Sequence, residues 1–306
     1  MRKTTDGSPS RVSVRVLVVA LSIQLLAGGA FIWAAATHFS ILGAATGAPA
    51  RTAAPHFDEQ HAFAELNREV DFGPRPAGSP ALRRLARTLR ARLPGGHFEP
   101  FGSKGLQNIV GVLPGRLPAI VLSAHYDTKD IPGFVGANDG AGGTAGVLEV
   151  ARALRGVKRP AGAPEVRFVL FDGEESPAGT PDFYSYGDRG SKEYVRRHAR
   201  ELRSMILLDF VAQRGLRILR ETGSDAGLWS RLRAAALRVG AGGVFPPGTQ
   251  NEILDDHTPF GRAGITAIDL IDFDYACFHK LCDTPAQLSP QSLGDVGRTI
   301  VELLRR

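Results

Sequence analysis

Short apolar runs typical of strands alternate with helical stretches along most of this chain, and this alternation restricts its fold more than any other feature. The strand-like runs are 107–113, 119–124, 166–171, 204–208 and 265–271, and the helical stretches are 141–155, 190–203, 224–239 and 289–305. Apolar strands that alternate with helices form a largely parallel sheet covered on both faces. We therefore predict an α/β fold, a three-layer sandwich with a mostly parallel mixed central sheet flanked by helices.

Two further helices are predicted before the first strand. Asp58 is placed to cap a helix that runs to about Val70, and Ser79 followed by Pro80 opens another after a loop rich in Gly and Pro. In this second helix apolar residues recur at helical spacing and the arginines between them form a solvated face.

The first 55 residues have a different composition from the rest. Residues 16–37 are almost wholly apolar, interrupted by Ser22 and Gln24, and follow four basic residues, which is the length and flank of a membrane-spanning helix. Ala48-Pro49-Ala50 also resembles a signal-cleavage site, so a retained anchor and a cleaved signal both remain open. We expect a cytoplasmic basic flank (1–15), an anchor or signal segment (16–37), a linker (38–55) and a catalytic domain (56–306). That domain is expected outside the cytoplasm, tethered to the cell membrane, or secreted or periplasmic after cleavage.

The net charge of +6 does not indicate nucleic-acid binding. Half of the excess lies in the first 50 residues, and the remainder is spread over a mixed surface without a basic stripe or an aromatic stacking motif. No nucleic-acid partner is expected.

Acidic residues and histidines follow most of the predicted strands, at the sheet edge where α/β proteins bind ligands. His125, Glu174, Glu175 and Asp209 come directly after or close to strand-like runs, His279 follows the last one, and Asp139 lies in a Gly-rich turn. Imidazole and carboxylate ligands suit zinc, with manganese or cobalt as alternatives. We predict that His125, Asp139, Glu175, Asp209 and His279 hold one or two ions, with one carboxylate shared.

Glu174 and Glu175 are expected to do different work. Neighbouring residues in extended backbone point to opposite sides, so one carboxylate binds metal while the other moves protons.

The sequence contains neither the G-x-S-x-G nor the H-E-x-x-H motif, and its glycines lack the G-x-G-x-x-G spacing. Cys277 and Cys282 flank His279, and they are either a disulfide that braces this loop or two unrelated thiols.

Several motifs in this order resemble the M28 metallopeptidase family and, within it, the branch of animal-type glutaminyl cyclases. The matching stretches are 123–127 (SAHYD), 133–140 (GFVGANDG), 170–175 (LFDGEE), 207–209 (LLD), 255–260 (DDHTPF) and His279 four residues before Asp283-Thr284. The resemblance covers residues 60–305 and implies a zinc exopeptidase-like fold.

The resemblance also implies roles for individual residues. His125, Asp139, Glu175, Asp209 and His279 match the ligands of two zinc ions, Glu174 matches the general base, and Asp127 matches the acid that orients His125. The cyclases retain one zinc, on the positions of Asp139, Glu175 and His279, while Asp209 and Asp256 resemble members of a proton-relay network.

Three functions remain to be separated. A glutaminyl-peptide cyclotransferase would cyclise N-terminal Gln with release of ammonia, and an M28-type aminopeptidase would hydrolyse the first peptide bond; both use peptide N-termini as substrates. A membrane-anchored ectodomain that only binds is the third, although every ligand position is filled. We favour the cyclase because of the long loop before Asp139 and the doubled acid 255–256. Phe278 and Lys280 stand where cyclases usually have Trp and Thr, and 177–183 replaces an expected Trp. These departures count against a cyclase's substrate pocket but not against the metal centre.

Overall fold

The computed structural model describes residues 56–102 and 105–305. Its strands are β1 His97–Phe101, β2 Leu106–Leu113, β3 Arg116–His125, β4 Pro164–Phe171, β5 Leu202–Leu208, β6 Arg220–Glu221, β7 Thr249–Gln250 and β8 Thr266–Leu270. Its helices are α1 Glu59–Val70, α2 Pro80–Arg92, α3 Gly143–Arg155, α4 Phe183–Tyr186, α5 Arg189–His198, α6 Ala226–Arg238, α7 Thr258–Arg262 and α8 Pro290–Leu304. The predicted segments 1–15, 16–37 and 38–55 lie outside the described residues.

Six strands form the central sheet in the order β1-β2-β4-β3-β5-β8. The pairs β4/β3, β3/β5 and β5/β8 are parallel, whereas β1/β2 and β2/β4 are antiparallel. The predicted mostly parallel mixed sheet is therefore confirmed. All four parallel strands have their carboxyl ends at the same edge, so the residues that follow them are brought together.

Helices cover both faces of this sheet, which gives the predicted three layers. Alternate strand residues point to opposite faces: Leu122 and Ala124 of β3 belong to the larger apolar core, whereas Val121 belongs to the smaller one. The larger core is completed by α1, α2, α3, α6 and α8, and the smaller one by α5 and α7. No helix within the described residues is long and apolar enough to cross a membrane.

The local signals for the first two helices are confirmed. The Asp58 carboxylate accepts hydrogen bonds from the backbone of Gln60 and His61, and the Ser79 hydroxyl accepts one from Leu82, with Pro80 as the first helical residue. These caps pair backbone N–H groups that the helix itself leaves free.

One additional strand and two helix boundaries are among the departures from the prediction. Strand β1 was not predicted, because it is a half-exposed edge strand that contains Pro100. The helix expected over 190–203 ends at His198, since a short 3₁₀ turn leads directly into β5. The helix expected from residue 141 begins at Gly143, where a Cβ atom would lie 2.1 Å from the Leu208 carbonyl oxygen. Only glycine allows this close approach of α3 to the end of β5.

Candidate metal centre

Four of the predicted site residues lie at the carboxyl edge of the parallel strands. His125 is the last residue of β3, Asp209 follows the last residue of β5, and Glu174 and Glu175 follow β4 after a two-residue turn. All four are buried. The apolar strands fix their backbone positions because the strand residues before them are locked in the core.

Asp139 reaches the same place from an irregular turn. Residues Ala137–Gly142 form one π-helical turn in which Asp139 and Gly140 depart from helical geometry, with φ of +98° at Gly140. A Cβ atom there would lie 2.9 Å from the Asp127 carbonyl oxygen and 3.3 Å from Cε1 of His125. Glycine therefore lets the turn pass close to His125 and point the Asp139 carboxylate into the site.

Asp139 is shared by two sets of potential ligands. Its Oδ1 lies 3.3 Å from His125 Nε2, which lies 3.5 Å from Asp209 Oδ1. Its Oδ2 lies 3.4 Å from His279 Nε2, which lies 3.2 Å from Glu175 Oε1. In each set the three ligand atoms lie within 4.8 Å of one another. The structure thus brings together all five predicted ligands, in two triads joined by one carboxylate.

The polar atoms of these triads fit a bound cation. Both ring nitrogens of His125, Asp139 Oδ2 and Glu175 Oε1 are buried, and none has a hydrogen-bond partner among the described residues. Buried polar atoms without partners are rare in proteins. Zinc bonds of about 2.0–2.1 Å in a tetrahedral arrangement place neighbouring ligand atoms about 3.3 Å apart, which matches the separations above. Nitrogen and oxygen donors without thiolate also admit manganese or cobalt.

Burial and neighbouring charges shift the pKa values of the candidate ligands. Burial, and then the charge of Glu175, raises the pKa of Asp139 to about 7. Burial alone would raise the pKa of Glu175, but contact with His279 and the Lys129 charge bring it below its usual range. Burial would lower the pKa of His279, yet contact with Glu175 raises it. These are the shifts expected where anionic and cationic groups crowd together in a metal-free protein.

Asp127 holds the double glutamate in place. Its Oδ1 accepts the Glu174 N–H at 3.2 Å and its Oδ2 accepts the Glu175 N–H at 3.3 Å. The distance from Asp127 Oδ1 to His125 Nδ1 is 3.7 Å, which is longer than a hydrogen bond. The hydrogen bonds of Asp127 therefore fix the backbone of residues 174 and 175, while its role in orienting His125 stays a prediction.

The two glutamates point to different neighbours. Glu175 contacts His279, and its second oxygen accepts a hydrogen bond from Lys129 Nζ at 2.9 Å. Glu174 belongs to neither ligand triad and lies in a group with Asp188 and Asp255. Burial, and then the charge of Glu175, raises the pKa of Glu174 well above its usual range. A buried carboxyl with a raised pKa beside a metal site is suited to accept and return a proton.

The adjacent acids Asp255 and Asp256 lie at different positions relative to the cavity. Asp255 lines the cavity next to Glu174, whereas Asp256 is fully buried and is not among the lining residues. Burial, and then the charge of Asp188, raises the pKa of Asp256 well above its usual range. A role for Asp256 in proton transfer stays a prediction. Sequence reasoning gave no role to Asp255 or Asp188, and the only signal for Asp255 was its adjacency to Asp256.

An open cavity of about 440 Å³ connects both triads to solvent. Its acidic lining residues, hereafter the acidic wall, are Asp139, Glu174, Glu175, Asp209, Glu252 and Asp255, and Lys129 and His279 also line it. Its apolar lining residues, hereafter the apolar wall, include Phe210, Ile253, Leu254, Ile271, Phe273 and Phe278. Phe278, which stands where cyclases usually have Trp, stacks on the His279 ring with centroids 3.9 Å apart. The cavity therefore offers acceptors for a positively charged group beside apolar surface.

His279, the last candidate ligand along the chain, lies in a loop that is closed by a disulfide. Cys277 and Cys282 form a disulfide around His279, so the bonded alternative is the correct one. His279 has a positive φ of 50°, an uncommon conformation for a residue with a side chain.

A family model and several known proteins match this chain in sequence. The model of Peptidase family M28 matches residues 108–304. A glutaminyl-peptide cyclotransferase-like protein of Mus musculus is 28% identical over 75% of this chain and 71% of its own length. Aminopeptidase YwaD of Bacillus subtilis (strain 168) is 31% identical over 57% of this chain and 37% of its own length.

A solved structure agrees with these matches. The Acidobacteriales bacterium glutaminyl cyclase superposes with a TM-score of 0.74 and 26% identity, covering 85% of this chain and 98% of the cyclase. Because the family model matches well over half of the residues and includes both glutamates and all five ligand positions, the chain belongs to peptidase family M28.

Proposed function

We propose that this protein is a zinc-dependent enzyme that acts on the free amino end of peptides, and that it is a glutaminyl-peptide cyclotransferase. One observation carries the proposal: a buried carboxyl group, Glu174, lies beside two ligand triads without belonging to either. The similarity to glutaminyl cyclases over most of the chain favours cyclisation.

The acidic wall accounts for recognition of the substrate. A peptide amino terminus is positively charged at neutral pH and would donate hydrogen bonds to the carboxyl oxygens of Glu174, Asp255 and Glu252, which line the cavity. The apolar wall packs against the peptide's side chains and excludes water from the reacting groups. The substrate's own amine and side-chain carboxamide then lie within one residue, which supplies the proximity that a five-membered ring closure needs.

Cyclisation joins the α-amine to the side-chain carbonyl carbon and releases ammonia. Asp139, Glu175 and His279 would hold a zinc ion, and such an ion polarises a carbonyl as a Lewis acid. The terminal ammonium first loses one proton to solvent. Glu174 then accepts the proton that the neutral amine loses as the new C–N bond forms, and returns it to the amino group that departs as ammonia. Burial raises the pKa of Glu174, which makes its carboxylate a better proton acceptor than an exposed one.

Aminopeptidase activity is the alternative, and a specific observation supports it. Both triads are complete, and His125, Asp139 and Asp209 could hold a second ion next to the first. Two adjacent ions are typical of hydrolytic aminopeptidases. In that case Glu174 would take a proton from water rather than from the substrate amine.

Mass spectrometry separates the two activities. The purified protein is incubated with a peptide that begins with Gln and with a matched peptide in which Leu replaces only that Gln. Loss of one ammonia from the first peptide alone supports the cyclase, and loss of the whole first residue supports the aminopeptidase. Because N-terminal Gln also cyclises without enzyme, the Glu174→Gln variant and a chelator-treated sample serve as controls. If the protein changes neither peptide and binds no metal, the result would support the third function, an ectodomain that only binds.

We further propose that residues 16–37 carry the catalytic domain across a membrane, either as an anchor or as a cleaved signal. The disulfide Cys277–Cys282 supports this, because disulfides persist in exported proteins and are rare in the cytosol. Cell fractionation with protease protection tests the proposal: a catalytic domain degraded by external protease in intact cells or spheroplasts agrees with it, and a protected, reduced one contradicts it.

A further inference from the structure

The Asp283 carboxylate connects two segments that carry ligands of the proposed metal centre. It is buried, and its oxygens accept hydrogen bonds from the backbone N–H of Asn138 at 2.9 Å and of Asp139 at 3.1 Å. The Asp283 carbonyl oxygen also accepts the N–H of Ala137. One residue thus binds three consecutive backbone N–H groups of the turn that presents Asp139.

The same residue is tied to the His279 loop. The Tyr275 hydroxyl donates a hydrogen bond to Asp283 Oδ1 at 2.7 Å. The Asp283 N–H donates to the Lys280 carbonyl oxygen at 2.9 Å, and Asp283 directly follows Cys282, whose disulfide closes the loop around His279. These bonds restrict movement of the Asp283 carboxylate relative to the His279 backbone.

The conformation of His279 is uncommon for a residue with a side chain. Its φ of 50° is in the left-handed region, which histidine adopts more often than most residues but still rarely. The disulfide and the turn hydrogen bonds are constraints in the loop itself, and the Phe278 ring stacks on the imidazole. We expect these constraints to keep the imidazole next to the Asp139 carboxylate.

We propose that Asp283 is a positioning residue that fixes His279 and Asp139 relative to each other, and that the disulfide Cys277–Cys282 is the covalent part of this restraint. The inference rests on the metal site of the proposed function. Residues that hold metal ligands in place contribute about 10- to 100-fold to metal affinity. Loss of the Asp283 carboxylate is therefore expected to weaken binding at the triad of Asp139, Glu175 and His279 by that factor.

The test measures metal affinity in the full-length protein rather than turnover. Metal-stripped protein is titrated with Zn²⁺ against a competing chelator, and separately with Co²⁺, whose absorption spectrum reports ligand number and geometry. Asp283→Ala should bind Zn²⁺ about 10- to 100-fold more weakly with an altered Co²⁺ spectrum. Asp283→Asn keeps one acceptor oxygen and should fall between it and the unmodified protein. Asp274→Asn, an exposed acid in the same loop, is the matched control and should change nothing.

Two further variants separate positioning from folding. Tyr275→Phe removes only the hydroxyl that holds Asp283 and should weaken Zn²⁺ binding in the same direction by less. Replacement of both cysteines by serine removes the covalent closure without adding thiols that would bind metal, and should also lower the affinity. The thermal midpoint of each metal-free variant shows whether it is folded at the temperature of the titration.

The outcomes are distinct. Equal Zn²⁺ affinity in folded Asp283→Asn, Tyr275→Phe and unmodified protein would overturn the positioning role while leaving the metal site intact. An unmodified protein that binds no metal would refute the proposed function, and the positioning role with it, before any variant is compared. Graded losses with an unaffected Asp274→Asn would support the inference.

Discussion

Asp188 is a buried acid whose charge the fold does not compensate well, and its replacement by Asn should stabilise the metal-free protein at alkaline pH. Its side chain is fully buried, and neither carboxylate oxygen has a hydrogen-bond partner among the described residues. Burial raises its pKa from 3.8 to about 7, against the opposing charge of Lys192. Its φ of 51° is left-handed, a conformation that Asn tolerates as well as Asp. The substitution therefore changes charge without new backbone strain.

The pKa shift gives the size and sign of the effect. An acid whose pKa is higher in the folded protein favours folding only while protonated, so stability is lost as pH rises from about 4 through 7. A shift of roughly three units, at about 1.4 kcal/mol per unit, makes ionised Asp188 cost about 4 kcal/mol at pH 8. Asp188→Asn should recover up to that amount at pH 8, and the difference should vanish near pH 4.

Urea unfolding at pH 5, 6, 7 and 8, with chelator present throughout, measures this difference. Asp130→Asn, at an exposed acid, is the control and should follow the unmodified protein at every pH. The reasoning would be refuted by an Asp188→Asn variant whose stability runs parallel to the unmodified protein between pH 5 and 8. It would also be refuted by a variant that is least stable, relative to the unmodified protein, at pH 8. Either result would mean that Lys192 outweighs the cost of burial.

The remaining predictions concern the ligands and their support. Glu174→Gln should abolish turnover with metal content unchanged, whereas Glu175→Gln should lower Zn²⁺ affinity by about 10-fold or more; equal metal loss after dialysis of both would contradict the division of roles. His125 and His279 bind metal only when neutral, and their pKa values are raised above 6.5. As the pH is lowered, Zn²⁺ affinity should therefore begin to decrease at a pH above 6.5. A chelator titration that is flat from pH 8 to 5 would exclude histidine ligation. Gly143→Ala places a methyl group against the carbonyl oxygen at the end of β5 and should destabilise by about 1–3 kcal/mol or more, measured by urea unfolding.

The parallel part of the fold could be predicted because buried strands are continuous apolar runs. The run 119–124 ends at His125, and the run 166–171 ends just before the double glutamate, so the sequence indicated both the sheet and its functional edge. Strand β1 could not be predicted in this way, because its residues are half exposed and its pairing with β2 decides its conformation. The position of an edge strand depends on its neighbour more than on its own composition.

The candidate ligands could be proposed from residue type and position after strands, whereas the residues that support them could not. Asp255 and Asp256 are adjacent acids, and only the three-dimensional path of the chain decides which one lines the cavity. Asp283 acts on backbone N–H groups 144 and 145 positions away in the sequence. A backbone N–H can donate whatever the type of its residue, so these hydrogen bonds leave no sequence pattern at the donor's end, and local periodicity carries no information about them.

The ligand count favours a catalytic over a structural metal site. Structural zinc sites have four protein ligands, whereas catalytic sites have three and leave one position for water or substrate. Each triad here has three ligand atoms from different residues. Glu175 cannot readily supply a second atom, because Lys129 occupies its other oxygen at 2.9 Å. With a metal bound, the remaining position would open toward the cavity that Glu174 and the apolar residues line. Lys129 would then keep a coordination position free, and its replacement by Met would let Glu175 chelate with both oxygens, raising Zn²⁺ affinity while lowering turnover.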